Sequence, residues 1–234
     1  MTSLLPFTHD YIFHTIQGEG KYTGTPSVFA RLSGCNLRCA WKNSDGTVTR
    51  CDTPYSSFEP EKKMESISDT IELIHSFHCK HVVITGGEPF LFQSLSELIN
   101  PLVDYGHFCT IETNGTRYLE TKAQFISLSP KLLSSTAYQD FPERINIPVL
   151  TQFTQHHDYQ FKFVINTEED VNEVMQLLQK LPNVSSEKIY LMPQAITPEE
   201  LEQKSLWVAD LCKKHNWNYA DRLHLRLWGS KRGV

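Results

Sequence analysis

The sequence predicts an α/β fold whose parallel strands are joined by helical crossovers. Two observations carry this. Short apolar runs such as His81-Val82-Val83-Ile84-Thr85 alternate with segments whose apolar residues recur every three or four positions. Chemically unusual residues also fall just after those runs, and a parallel sheet gathers its ligands at the carboxyl ends of its strands. At 234 residues the chain can bury one sizeable core, and a single domain, 1–234, is expected.

Tyr11 to Ile16 and Ser27 to Leu32 read as strands. Ile67, Ile71, Ile74 and Phe77 repeat at helical spacing, so Ser66 to His78 reads as an amphipathic helix. His81 to Thr85 follows as a buried strand, and Leu95, Leu98, Ile99 and Leu102 mark a second helix. Phe108 to Glu112, Phe125 to Ser129 and Gln160 to Ile165 are the next strands; 132–157 carries no usable motif. Thr167 caps a helix with Glu168, Glu169 and Asp170 in its first turn, where carboxylates favour the positive end of the helix dipole. Lys188 to Met192 reads as a strand. Thr197-Pro198 starts a helix running to about His215, since proline suits the first helical position. Leu223 to Leu227 alternates and reads as a closing strand.

Five strand ends carry the unusual residues. The cysteine loop, 33–57, follows Leu32; Gly86-Gly87-Glu88-Pro89 follows Thr85; Glu112-Thr113-Asn114-Gly115 follows Ile111. Ser129-Pro130-Lys131 follows Leu128, and Pro193-Gln194 follows Met192.

The net charge of −5, with no long basic block, argues against a protein whose main affinity is for nucleic-acid phosphates. Apolar stretches are too short to span a bilayer. Met1-Thr2-Ser3 opens no signal peptide, so the cytoplasm is the expected compartment. Six cysteines in a reducing compartment do not suggest a disulfide frame. Cys79, Cys109 and Cys212 are scattered and read as buried small apolar residues.

Cys35, Cys39 and Cys51 are different. Three thiols within one short stretch suit a metal, and three is one fewer than a closed site needs. An iron–sulfur cube held this way leaves one iron for a chelating small molecule, and an amino acid's amine and carboxylate would serve. Cys-x3-Cys followed by a third cysteine resembles radical S-adenosylmethionine (SAM) enzymes, and Gly86-Gly87-Glu88-Pro89 resembles the turn that holds the methionine amino group there. The common spacing puts two residues before the third cysteine. Here there are eleven, with Trp41 just before the insert 42–50 and Arg50 at its end. Lengthening the loop costs on the order of 1.5 kcal/mol in closure entropy, small beside metal–thiolate binding. Asp45-Gly46 signals a turn, so the insert reads as a small hairpin.

The flanks narrow the resemblance. Ile16-Gln17-Gly18-Glu19-Gly20, Phe29-x-Arg31, Gly34-Cys35-Asn36-Leu37-Arg38-Cys39, Cys51-Asp52-Thr53, Glu112-Thr113-Asn114-Gly115, Ser129-Pro130-Lys131 and the tail from His224 to Val234 resemble the 7-carboxy-7-deazaguanine synthase family. The match runs from about Tyr11 to Val234.

That resemblance implies a partial parallel barrel of six strands and three helices, here with added peripheral helices, usually as a homodimer. It implies a lyase that converts 6-carboxy-5,6,7,8-tetrahydropterin to 7-carboxy-7-deazaguanine with loss of ammonia, on the route to queuosine. An adenosyl radical abstracts hydrogen from C6, and SAM is regenerated. The implied cofactors are a 4Fe-4S cluster on Cys35, Cys39 and Cys51, SAM, and Mg²⁺ on the Thr53 hydroxyl. A flavodoxin or ferredoxin would deliver electrons; no nucleic acid or membrane is implied. SAM would meet Arg50, Asp52, Gly87, Glu88, Ser129, Pro130, Lys131 and Gln194. The pterin would meet Ile16, Gln17, Gly18, Glu19, Arg31, Thr85, His224 and Val234. Glu19 suits the pterin's amino and ring N–H edge because a carboxylate accepts two hydrogen bonds; Arg31 would fork onto the substrate carboxylate. Glu112 and Asn114 also fall on the implied rim.

Two rival readings remain at this point. A radical activase acting on a protein glycine would share the cysteines and the Gly-Gly-Glu turn. A zinc-stabilised binding module would add His9 or His14 to the three thiols.

Overall fold

A computed structural model describes residues 3–43, 45–138 and 141–234. Met1 and Thr2, at the start where no signal peptide is read, and Ser44, inside the insert, lie outside the described residues.

The strands are β1 (Leu4–Ile16), β2 (Pro26–Leu32), β3 (Ala40–Lys42), β4 (Val48–Arg50), β5 (Lys63–Ser66), β6 (His81–Gly86), β7 (Phe108–Thr113), β8 (Phe125–Leu128), β9 (Asp158–Ile165), β10 (Ile189–Pro193) and β11 (Asn218–Tyr219). The helices are α1 (Pro54–Ser57), α2 (Ile67–Ser76), α3 (Leu95–Asp104), α4 (Ile147–His156), α5 (Glu168–Gln179), α6 (Pro198–His215) and α7 (Leu223–Trp228).

One sheet runs in the order β11-β10-β9-β8-β7-β6-β2-β1-β5. From β2 to β11 every neighbouring pair is parallel, which requires the helical crossovers that the alternating pattern implies. β1 adds to β2 antiparallel; its register shifts between Phe7 and Ile12, and its first half pairs with β5. The sheet is an open, partial barrel with β5 and β11 as its edges. The central strands are buried along their length: Val82, Val83 and Ile84 of β6 and Phe161 and Phe163 of β9 are all inaccessible. That burial explains their continuous apolar runs.

Capping fixes the helix starts. Thr197 accepts from Glu200 N–H ahead of α6, and Asp170 takes the backbone N–H groups of Asn166 and Thr167 at 2.7 and 2.8 Å ahead of α5. No helix among the described residues is long and apolar enough to cross a membrane.

One expectation needs correcting, and two elements had no reading in the sequence. Leu223 to Leu227 is helix α7, not a closing strand. The strand position beside β10 is filled by Asn218–Tyr219, and Leu223 N–H instead donates to the Gly18 carbonyl at 2.9 Å. A tertiary contact outweighs the alternation of Leu223, Leu225 and Leu227. The motif-free stretch 132–157 contains α4, started by Asn146, whose side chain accepts from Val149 N–H at 3.3 Å. β5, a short edge strand with exposed Met64, carries no alternation strong enough to be read.

Candidate active site

The carboxyl ends of β2, β6, β7, β8, β9 and β10 surround a cavity of about 580 Å³. Cys35, Cys39 and Cys51 all line it. The insert is the hairpin its Asp-Gly turn implies: Ala40 pairs with Arg50, Trp41 with Thr49 and Lys42 with Val48. That register sets Cys39 opposite Cys51, so the eleven-residue spacer returns the third thiol beside the second. Leu37, Cys39 and Trp41 form a small buried cluster, with Cys35, Cys51 and Val164 packed against it. Burial pushes the Cys35 thiol up to about 11 and Cys39 up to about 12, and raises Cys51 as well. All three are free thiols. Buried thiols facing one cavity, with Lys131 nearby, fit an iron–sulfur cluster, whose metal takes up sulfur as thiolate.

Gly86-Gly87-Glu88 braces this loop. Gly87 N–H donates to the Leu32 carbonyl at 3.1 Å, and Glu88 N–H to the Gly34 carbonyl at 2.8 Å. A Cβ on Gly87 would sit 2.1 Å from the Gly34 oxygen and 2.6 Å from that of Ser56. The glycine is required by close approach to the cysteine loop. Glu88 is fully buried. Its carboxylate accepts from Phe90 N–H, the Thr113 hydroxyl and Asn114 N–H at 3.0, 2.7 and 2.7 Å. It joins the ends of β6 and β7 and does not line the cavity; neither does Pro130.

The other predicted residues converge. Ile16, Gln17, Gly18, Glu19, Arg31, Arg50, Asp52, Thr53, Thr85, Gly87, Ser129, Lys131, Gln194, His224 and Val234 all line the same cavity, as do Glu112 and Asn114. Glu112 accepts from Gln17 at 3.1 Å and from the Thr85 hydroxyl at 2.8 Å. Thr53 starts α1, but its hydroxyl makes no capping bond and lies 3.4 Å from the Cys51 sulfur. Lys131 donates to Ser129 at 2.8 Å. His224 packs against Gly18, and burial lowers the basicity of its ring.

Sequence reasoning missed two residues, Lys162 and Arg222. Both are buried and line the cavity. Lys162 donates to one Glu19 oxygen, and Arg222 Nε donates to the other at 3.1 Å; Arg222 also pairs with Asp52. Burial alone would raise the Glu19 pKa, but the two cations outweigh it and keep the carboxyl below the usual range. A lysine between Phe161 and Phe163 in an otherwise buried strand was a readable signal. Arg31, by contrast, has no carboxylate partner among the described residues. It lies over the Phe13 ring at 5.7 Å. The cavity therefore offers three thiols, an ionised acceptor and an unpaired guanidinium.

The chain is 37% identical over 232 residues to the 7-carboxy-7-deazaguanine synthase of Rhodopirellula baltica, covering 95% of this chain and 86% of that one. It is 36% identical to the synthase of Halobacterium salinarum, covering 93% and 88%. Its fold matches the crystal structure of QueE from Escherichia coli with a TM-score of 0.68 at 25% identity, over 94% of this chain and 95% of that one. Streptococcus suis SuiB bound to S-adenosylmethionine shares the fold alone, with a TM-score of 0.52 at 14% identity over 80% of this chain and 48% of that one. No family model matches.

Proposed function

The chain belongs to the 7-carboxy-7-deazaguanine synthase family, and from that premise we propose a role for each cavity residue in the ring contraction of 6-carboxy-5,6,7,8-tetrahydropterin. It is a radical SAM lyase using a 4Fe-4S cluster and SAM. The observation that carries the residue assignment is that the three thiols share one cavity with an ionised Glu19 and an unpaired Arg31.

Cys35, Cys39 and Cys51 hold the cluster. Reductive cleavage of SAM to an adenosyl radical is the chemistry that cluster and cofactor supply together. Ser129, Lys131 and Gln194 hold SAM beside Gly87, with Arg50 and Asp52 flanking the third thiol. Glu19 accepts from the pterin's amino and ring N–H edge. Its two cations leave it acceptor-only, which suits that edge and no carbonyl. Gln17 and Thr85, both tied to Glu112, line the ring. Arg31 forks onto the substrate carboxylate. The Thr53 hydroxyl, which makes no capping bond to α1, is the protein's oxygen ligand for Mg²⁺. Val234 closes the pocket, with Ile16, Gly18 and His224 forming its wall. A flavodoxin or ferredoxin delivers the electron, and the enzyme works as a homodimer.

The zinc-module reading loses its fourth ligand: the His14 ring sits 6.0 Å from that of Phe77 and pairs with Val28, at the amino end of β2. His9 is exposed, off the cavity. Anaerobically reconstituted enzyme, given the pterin, SAM, Mg²⁺ and dithionite, should develop the ultraviolet spectrum of a deazapurine. No such spectrum from iron-loaded protein would overturn the substrate assignment.

A further inference from the structure

Arg222 stands just ahead of α7, and the residue is 7% exposed. Each of its three nitrogens is taken by a different wall of the cavity. Nε donates to Glu19 at 3.1 Å; one terminal nitrogen donates to Asp52, the other to the Ala195 carbonyl. Next to it, Leu223 N–H holds the Gly18 carbonyl at 2.9 Å. The three walls serve three different jobs in the proposed site. Glu19 faces the pterin, Asp52 adjoins the cluster ligand Cys51, and Ala195 adjoins Gln194 of the SAM site.

The buried Arg222–Glu19 pair is a poor device for stability alone, because desolvating both ions offsets most of their attraction, and the bond to Asp52 reaches a carboxylate that is itself 42% exposed. It is a good device for geometry. The guanidinium is planar, and its donors point in fixed directions. Lys162 engages the other Glu19 oxygen, so that carboxylate is held from two sides.

We propose that Arg222 is a positioning residue that holds the Cys51 loop, through Asp52, in register with the substrate-facing carboxylate of Glu19. The inference rests on the site assignment above. It adds that the cofactor half and the substrate half of the cavity communicate through one side chain. Pterin bound on Glu19 orders Arg222, and Arg222 orders Asp52 beside the SAM site. Binding of either ligand then favours the other by the same factor.

The test is a binding measurement on cluster-loaded enzyme without reductant, so that no turnover occurs. The dissociation constant of S-adenosylhomocysteine is measured by calorimetry with and without saturating 6-carboxytetrahydropterin. The unsubstituted enzyme should bind it about fivefold or more tighter with the pterin present. In Arg222→Ala the ratio should fall to about one, at unchanged iron content, and Arg222→Lys should recover part of it. If Arg222→Ala does not fold, Asp52→Ala removes one arm and should lower the same ratio. A variant that keeps the full ratio overturns the proposal, as does an unsubstituted enzyme that binds both ligands with a ratio of one. An unsubstituted enzyme that binds S-adenosylhomocysteine but never the pterin refutes the substrate assignment instead.

Discussion

The backbone N–H of Cys51 donates to the carbonyl of Cys39 at 2.9 Å, continuing the ladder of the β3–β4 hairpin back to these two cysteines. Pairing register, not spacer length, places the third thiol. Shortening the hairpin symmetrically, by replacing 43–47 with a two-residue Asn-Gly turn, should keep the register. Iron loading and dithionite-driven turnover should survive. Deleting Thr49 alone slips the register by one residue and turns alternate side chains to the opposite face. That variant should lose iron. Equal iron content in both variants would show that the ladder does not position Cys51.

The chain's end is held by a similar fixed contact. The Arg232 guanidinium lies 3.8 Å over the Tyr55 ring and forks onto Glu61 at 2.9 and 2.6 Å. The hydrogen bonds from Arg232 hold the Glu61 carboxyl down to about 2. A carboxylate with a depressed folded pKa keeps its contribution above its unfolded pKa and loses it as pH falls through the folded one. The latch therefore stays shut at neutral pH. Deleting Gly233 and Val234 should raise the pterin KM about tenfold, the worth of one good hydrogen-bonded contact at about 1.4 kcal/mol, with little change in Tm. Unchanged kinetics would remove Val234 from the site.

Gly87 is predicted to be intolerant of any side chain. With a Cβ 2.1 Å from the Gly34 oxygen, Gly87→Ala must displace backbone on the cysteine loop. The expected result is iron-poor protein that no longer binds SAM, destabilised by about 2 kcal/mol or more. Full iron loading of Gly87→Ala would mean that the loop yields freely.

His81 sets part of the acid limb of stability. Its ring is buried between the hydroxyls of Ser27 and Thr110, each at 2.8 Å, and burial lowers its pKa to about 4. Between about 6.5 and 4 the unfolded chain binds a proton that the folded ring refuses. Stability is then fully present above the unfolded pKa and lost as pH falls through this window, by at most about 1.4 kcal/mol per unit. Tm measured from pH 7 to 4.5 should fall less steeply in His81→Gln than in the unsubstituted protein. Parallel curves would rule out this contribution.

The strands and the site rim were legible because both rest on local patterns. Buried parallel strands spell themselves as runs such as Val82-Val83-Ile84, and Cys35, Cys39 and Cys51 fall within seventeen residues of one another. What stayed illegible depends on distance. Arg222 reaches Glu19, Asp52 and Ala195 across separations of 203, 170 and 27 residues, and no local pattern encodes that. Leu223 to Leu227 alternates like a strand, yet becomes helix because Leu223 must meet Gly18. Glu88 looks like a cofactor residue by its place in the motif, and its buried carboxylate turns out to tie two strands together.

The central claim is that a cluster on three thiols delivers radical chemistry to a pterin held in the same cavity by Glu19 and Arg31. The most direct measurement follows deuterium from C6-labelled 6-carboxytetrahydropterin by mass spectrometry during turnover. The account predicts deuterium in recovered SAM, and no transfer in Cys51→Ala. Deazapurine formed without label reaching SAM, or formed by Cys51→Ala, would contradict it.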